Sequence, residues 1–558
     1  MAWINPKTIL IIFTLLMAGV VSGCAGGGGD DTPSAATAPV VLITSPANNA
    51  TGVLLTKPIA VAFSKVMKAD TFTATTFTAK SSTGSVVNGT ITYENDYATL
   101  TPLPSALLAP STLYTVTVAR VQASDGIMLA APYSWSFTTG PLDPGFGNGG
   151  VVITPVSMTL GDGARAVAVQ PADGKVVAVG YVDSGNGNYD FAVARYNTDG
   201  TLDTSFGGNG IVTTAISAGR DEARAVAIQP LNGQIVVAGV TTNNSTGTDF
   251  VVARYNSADG SLDTSFNTNG YIVTDFGVTK DEAFAMAIQS TGKIVVVGQT
   301  GSLTDSSFAM ARYNTNGTLD TTTFGTSGLQ RTSFGNGVDA AYAVAIQDVT
   351  DKIVVAGITD STLGDGINND FALARYDANG ILDGTFDMDG QVTTAIGVAD
   401  EGAFAVGIQQ STGKIVAAGA VFNTASNNND FGLVRYHDNG ALDTTFGAAS
   451  TIPGTVLTDM AGSNDVALAL MIQADDKIMV GGAAFVTGQD NDLALARYNT
   501  DGSADTTFDA DGKVVTNISA AHDTAYGLAL RPDSKVVLVG STGTGTDSNF
   551  LLVGFIAP

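Results

Sequence analysis

One unit, repeated seven times, limits what this chain can fold into more than any other feature. Its marker is an Asp, usually within Leu-Asp, found at Asp143, Asp203, Asp263, Asp320, Asp383, Asp443 and Asp505, so that copies recur every 57 to 63 residues. A Phe follows each marker: Phe146, Phe206, Phe266, Phe324, Phe386, Phe446 and Phe508. Between markers the order is constant. An alanine-rich segment such as ARAVAIQ (223–229) leads through a Gly-containing turn into QIVVAG (234–239). A loop follows, then DFVVARY (249–255) and finally YIVT (271–274). Val-rich runs broken every few residues by Gly, Asn and Asp are short strands and tight turns. Alanine is the best helix former, but seven residues ended by a glycine turn are too few for a helix. Each copy therefore supplies four antiparallel strands, the make-up of one propeller blade. Ala223, Ala225 and Ala227 share one face of the first strand, which suits the crowded axis; the more polar last strand suits the rim.

The two ends of the array are complementary. GPLDPGFGNGGVVIT (140–154) is the back half of a unit without its front half, and the last copy, ending NFLLVGFIAP, stops after its third strand. Residues 151–154 are expected to complete that last blade, mixing N- and C-terminal strands. A seven-bladed ring with no open edge results, and a monomer is the expected species.

Residues 38–140 are written differently. IAVAFS (59–64), GTITYE (89–94), YATLTP (97–102), LYTVTVARV (113–121) and YSWSFTTG (133–140) alternate apolar and polar, as the strands of a small β-sandwich do. Trp135 and Phe137 alternate on the last of these and read as core. With PANNATGV (46–53) ahead of them, these strings resemble the bacterial Ig-like domain often found near the start of surface proteins, which implies a spacer. The 60-residue unit, over all of 141–558, resembles the delta-60 repeat of bacterial secreted proteins. That resemblance implies propeller-like architecture and no particular catalysis. The expected fold is thus all-β: an Ig-like sandwich followed by a seven-bladed propeller of four-stranded blades.

The first residues, MAWINPKTILIIFTLLMAGVVSGC, carry Lys7, an apolar run over 8–21 and small residues before Cys24, the only cysteine. They resemble the leader of a bacterial lipoprotein. The resemblance implies loss of 1–23 and lipidation of Cys24. With Ala25 after the Cys, it also implies an envelope protein of the outer membrane or cell surface. Residues 24–37, rich in Gly, Ser, Thr and acid, read as a flexible tether. A formal charge of −26 excludes binding to a phosphate backbone, so no nucleic-acid partner is expected. A hydrophobic content of 44% separates the chain from disordered acidic sequences and is enough to fill a core.

Two sets of residues recur with the unit. Arg195, Arg254, Arg312, Arg375, Arg435 and Arg497 end the third strands, a few residues before Asp203, Asp263, Asp320, Asp383, Asp443 and Asp505. An Arg–carboxylate clamp is the plain reading. The seventh copy has Gly554 in place of Arg, which is expected to leave Asp143 unpaired and the closing blade loose. Before the first strands stand Asp162, Asp221, Asp281, Asp339, Asp465 and Asp523, with Glu401 in the remaining copy; Asp190, Asp249, Asp370, Asp430 and Asp492 start third strands. First and third strands run the same way, so these acids share one face with the loops that differ most between copies. That face is the candidate binding face; turn capping is the competing use of the same carboxylates. Calcium is the cofactor the pattern admits, at Asn197–Asp203, Asn499–Asp505, 387–390 and 509–512, although none of these is a full Ca²⁺ loop.

Enzyme signatures are largely absent. The two histidines, His437 and His522, fall in different copies, and no metallohydrolase, serine-hydrolase or phosphate-loop pattern occurs. The expectation is a non-catalytic binding platform for a glycan or an envelope or surface protein. A periplasmic scaffold is the alternative, and a carbohydrate-active enzyme a third.

Overall fold

The structure, a computed structural model, describes residues 37–557 apart from 186, 244–246, 336, 361–368, 398, 449, 451, 487–489 and 545–546. The leader, Cys24 and all but the last residue of the tether lie outside the described residues.

The alternating runs after residue 40 form two four-stranded sheets. One has the order Val41–Ser45, Ile59–Phe63, Tyr97–Pro102, Gly89–Glu94; the other has Ala50–Val53, Tyr133–Thr139, Leu113–Val118, Phe77–Ser81. Trp135 and Phe137 are buried between them with Phe63, Phe77 and Val116. The sandwich is not a detached spacer. Leu55 is fully buried in a cluster with Leu142, Phe508, Val514 and Phe555 of the propeller, and a Cβ on Gly52 would collide with the carbonyl oxygen of Val515 on the propeller's outer strand Lys513–Thr516.

Each repeat becomes one blade. Blade 1 runs Asp162–Val169, Val176–Gly185, Asn188–Tyr196, Ile211–Thr214 from axis to rim, and blades 2 to 6 repeat that order. Inner strands pack against the inner strands of both neighbours, and Asp523–Leu530 of blade 7 meets Asp162–Val169 of blade 1. The ring is closed. Its last blade consists of Asp523–Leu530, Val536–Thr542 and Asn549–Phe555, with Val151–Thr154 as outer strand in the register Phe550↔Thr154 to Val553↔Val151.

A bulge interrupts every inner strand three residues after its capping acid (in blade 5, Glu401), leaving Arg165, Arg224, Phe284, Tyr342, Phe404, Leu468 and Tyr526 as the extra residues. Opposite each bulge the second strand carries a glycine. At Gly357 a methyl group would collide with the carbonyl oxygen of Ala340, so the V-A-G of the repeat is a requirement of backbone approach.

The Arg–Asp clamps form in all six copies that have the arginine, at 2.7 to 3.0 Å from Nε to Oδ2. Each guanidinium also lies over the marker Phe, as Arg195 does over Phe206 at 4.6 Å. They reach further than a clamp within one blade: Nη1 of Arg195 donates to the Ser257 carbonyl of blade 2, and Nη1 of Arg254 donates to the Thr315 carbonyl of blade 3 at 2.5 Å. A lysine at the entry to the second strand adds a second cation to most clamps, as Lys293 does to Asp320 at 2.7 Å.

The expectation of an unpaired Asp143 is corrected. Arg531 Nη1 donates to its Oδ2 at 2.8 Å and Lys535 Nζ to its Oδ1 at 2.9 Å, while Arg531 Nη2 reaches the Thr198 carbonyl of blade 1 at 2.8 Å. Arg531 stands where other copies have glutamine, such as Gln229 or Gln289. The cation missing at Gly554 enters from the neighbouring turn, and its Cζ lies over Phe146 at 5.1 Å.

Candidate functional site

The acids before the inner strands lie on the face expected of them, but their side chains turn inward. Asp162, Asp221, Asp281, Asp339, Asp465, Asp523 and Glu401 are all buried. Each carboxylate accepts backbone N–H groups from the link entering its own blade: Asp162 from Val156 (2.8 Å) and Ser157 (3.0 Å), Asp221 from Ile216 (2.7 Å) and Ser217 (2.8 Å), Asp281 from Phe276 (2.8 Å). The others accept from Phe334, Ile396, Met460 and Ile518. Capping of the inter-blade links is therefore their visible use. Of the third-strand acids, Asp249, Asp430 and Asp492 are buried and Asp190 and Asp370 half-buried.

The turns weighed for calcium are occupied by their own donors. Asp199 accepts the N–H (2.9 Å) and Oγ1 (2.7 Å) of Thr201, Asp501 does the same with Ser503, and Asp203 and Asp505 belong to clamps. In 387–390 and 509–512, Asp389 and Asp511 accept the N–H of Gln391 and Lys513.

A cavity of about 470 Å³ opens on the same face, at the seam where blade 7 meets blade 1. Its walls include Arg165, Tyr181, Asp183 and Tyr189 from blade 1, with His522, Tyr526 and Ser548 from blade 7. The bulge aims Arg165 across the seam: its Cζ lies 4.4 Å from the Tyr526 ring centre and 5.0 Å from that of Tyr181. Tyr181 and Tyr189, diagonal cross-strand neighbours two residues out of register, pack with ring centres 4.7 Å apart. His522 Nδ1 accepts the Asn491 N–H at 3.2 Å, and its Nε2 lies 3.6 Å from Asp490.

Behind the tyrosines sits a cationic cluster. Buried Glu222 takes Arg165 Nε on Oε1 at 2.9 Å and Arg224 Nη2 on Oε2 at 3.1 Å, and Arg220 also donates to Oε2. Burial alone would raise the Glu222 pKa. The guanidinia of Arg224, Arg165 and Arg220 outweigh it and hold the carboxyl down to about 2. Three arginines against one carboxylate leave positive charge in an acidic protein. Arg220 Nε and Arg224 Nη1 are buried N–H donors with no partner among the described residues.

These pocket residues were missed in the repeat reading, which looked for what the copies share. The signal lay in what one copy lacks. Tyr181 replaces Val240, Gln299, Ile358, Ala420, Ala483 or Ser541, and Tyr189 replaces Thr248, Ser306, Asn369, Asn429, Asn491 or Ser548.

Fold and face together define a class: an Ig-like sandwich joined to a closed β-propeller with a polar, aromatic pocket at its seam. Residues 35–139 match the family described as Bacterial Ig-like domain. Six segments, 172–206, 231–266, 289–322, 350–386, 410–446 and 473–508, match the Domain of unknown function (DUF5122) beta-propeller. No curated protein matches the chain. Among solved structures, the polysaccharide lyase Uly1 is similar over 74% of this chain and 91% of its own, at 12% identity and a TM-score of 0.40. The beta-propeller domain of the Trilobed protease from Pyrococcus furiosus, which has an open velcro topology, covers 71% and 94% at 11% identity and a TM-score of 0.36. Sqt1 from Chaetomium thermophilum covers 72% and 98%, also at 11% and 0.36.

Proposed function

We propose that this protein is a non-catalytic, monomeric envelope lipoprotein, anchored through Cys24, whose propeller captures acidic glycan chains in the seam pocket. The observation that carries the reading is the wall of Tyr181, Tyr189 and Tyr526 around Arg165. Tyrosine faces give apolar area for the flat faces of sugar rings, with hydroxyls at their edges for hydrogen bonding. Arginine supplies paired donors for a carboxylate or sulfate. Among the described residues Asp183 is the one carboxylate in the pocket wall, whereas hydrolysis of a glycosidic bond ordinarily uses a pair. Capture without turnover is the reading this supports.

The test is calorimetric titration of the full chain with polygalacturonate and, separately, neutral dextran. Binding is expected for polygalacturonate alone, with no shortening of the polymer. Arg165→Gln and Tyr181→Ala are each expected to weaken it about tenfold, which is about 1.4 kcal/mol. Equal affinity for both polymers, or affinity untouched by both substitutions, would refute the reading.

A further inference from the structure

The seven joints between blades are not equivalent. At every joint an acid capping the next inner strand faces the start of the preceding third strand, and the residue just after the outer strand lies between them. That middle residue is Pro155, Ala215, Ser333, Ala395 or Asn517 at five joints. At the other two it is aspartate: Asp275 between blades 2 and 3, and Asp459 between blades 5 and 6. At these two joints, three carboxylates converge. One oxygen each of Asp249, Asp275 and Asp281, and likewise of Asp430, Asp459 and Asp465, lie within 4.8 Å of one another.

We propose that each of these two joints is a binding site for one hard divalent cation, of which Ca²⁺ is the best fit. The acids alone would not carry this; their unmet valences do. Asp430 and Asp465 are 1% exposed, yet Oδ1 of both has no hydrogen-bond partner among the described residues, and fully buried Asp281 has the Thr300 hydroxyl as its side-chain neighbour in place of a cationic side chain. Their other oxygens are held in place: Asp465 Oδ2 by the Met460 N–H (2.6 Å), Asp281 Oδ2 by the Phe276 N–H (2.8 Å), and Asp430 Oδ2 by Asn423 Nδ2 (2.7 Å). A buried carboxylate oxygen facing two further carboxylates is expensive unless a proton or a cation sits between them. Where the middle residue can donate, the joint solves the problem with a hydrogen. Asn517 Nδ2 donates to Asp492 at 2.8 Å, and Ser333 Oγ lies 3.2 Å from Asp339 Oδ2. Asp275 and Asp459 put a third acceptor at that place instead.

The side-chain cations nearby give their hydrogen bonds to main-chain carbonyls, although the charge of Lys513 also acts on Asp430. Lys513 Nζ donates to the Asp459 main-chain carbonyl at 2.5 Å, and Arg331 donates to the Phe276 carbonyl. The donor set is oxygen only, with no His or Cys, which selects Ca²⁺ over Zn²⁺. An ion about 2.4 Å from each ligand can span oxygens up to about 4.8 Å apart, and Ca²⁺ tolerates the irregular geometry better than Mg²⁺.

The experiment is a calcium titration of the chelator-stripped full chain, followed by calorimetry and by thermal melting. Two ions should bind, and the melting temperature should rise with Ca²⁺ but not with K⁺. Asp275→Asn and Asp459→Asn, both at exposed link residues, should each abolish one site, and the double variant both. Failure of the stripped chain to bind Ca²⁺ at millimolar concentration would overturn the proposal. So would a double variant that binds as the parent does. A melting temperature raised by Asp459→Asn and indifferent to Ca²⁺ would also overturn it, and would assign the joint a shared proton. None of these readouts involves the seam pocket.

Discussion

Phe555 is where the seventh copy departs from the tyrosine that ends the other third strands. Tyr196, Tyr255, Tyr313, Tyr376, Tyr436 and Tyr498 are buried, and each places its hydroxyl 2.7 to 3.0 Å from a threonine on the outer strand of the preceding blade. The seventh threonine, Thr516, is fully buried and its Oγ1 has no partner among the described residues. Phe555→Tyr is therefore expected to stabilise the propeller by about 1 kcal/mol, the net worth of one buried hydrogen bond. Denaturant unfolding would measure it, and a loss of stability would show that the seventh site lacks room for the hydroxyl. In the sequence the Tyr-to-Phe change was visible. That it orphans a threonine 39 residues earlier was not, because the pairing crosses a blade boundary.

At the scale of the blade, the closing element shows how one substitution is matched by another. Asp143 is 1% exposed and is kept ionised against the effect of burial by Lys535, the Gly145 N–H and Arg531. Removing the guanidinium with Arg531→Gln restores the residue used by most copies at that place but leaves Asp143 with Lys535 as its one cation. A loss of about 3 kcal/mol is expected. Adding Gly554→Arg should recover most of it by rebuilding the clamp of the other blades. A double variant no more stable than the single one would mean that the tight approach of Phe146 to Gly554, 3.0 Å from a built Cβ, excludes the side chain. The Arg–Asp clamp itself was legible from spacing. Its extension to the next blade's carbonyl was not, since nothing in the spacing of one unit says which unit lies beside it.

Across the whole ring, two populations of buried carboxylates act oppositely with pH. Burial, resisted by backbone N–H donors, pushes Asp162 up to about 6 and Glu401 to about 7, and burial resisted by Asn517 pushes Asp492 to about 6. Their unfolded values are about 4. The stability they contribute is therefore fully present below about pH 4 and lost as pH rises through 6 to 7. The clamp acids Asp203, Asp320, Asp383 and Asp443 are held well below the usual carboxylate range, because lysine, hydroxyl and arginine donors outweigh burial. Their contribution is present above about pH 4 and lost below it. Melting temperature should thus peak near about pH 4, fall as pH rises through about 6 to 7, and level off above that. Scans in chelator keep metal binding out of the comparison; a curve rising steadily to pH 8 would contradict it.

The repeat by itself determined the fold: seven copies of four strands, two complementary ends, and an alternating sandwich before them. Period and alternation are properties of consecutive residues, so they can be read along the chain. The same reading placed the acids on the right face and left two uses open for their carboxylates, binding or turn capping; the bulges and inter-blade links turn most of them into the core. The pocket at the seam was decided by tertiary structure alone. Arg165 and Tyr526 stand at opposite ends of the array, and ring closure is what brings them within 4.4 Å. The acid triads are likewise built from two blades each, with partners up to 35 residues apart that meet only because consecutive blades pack side by side.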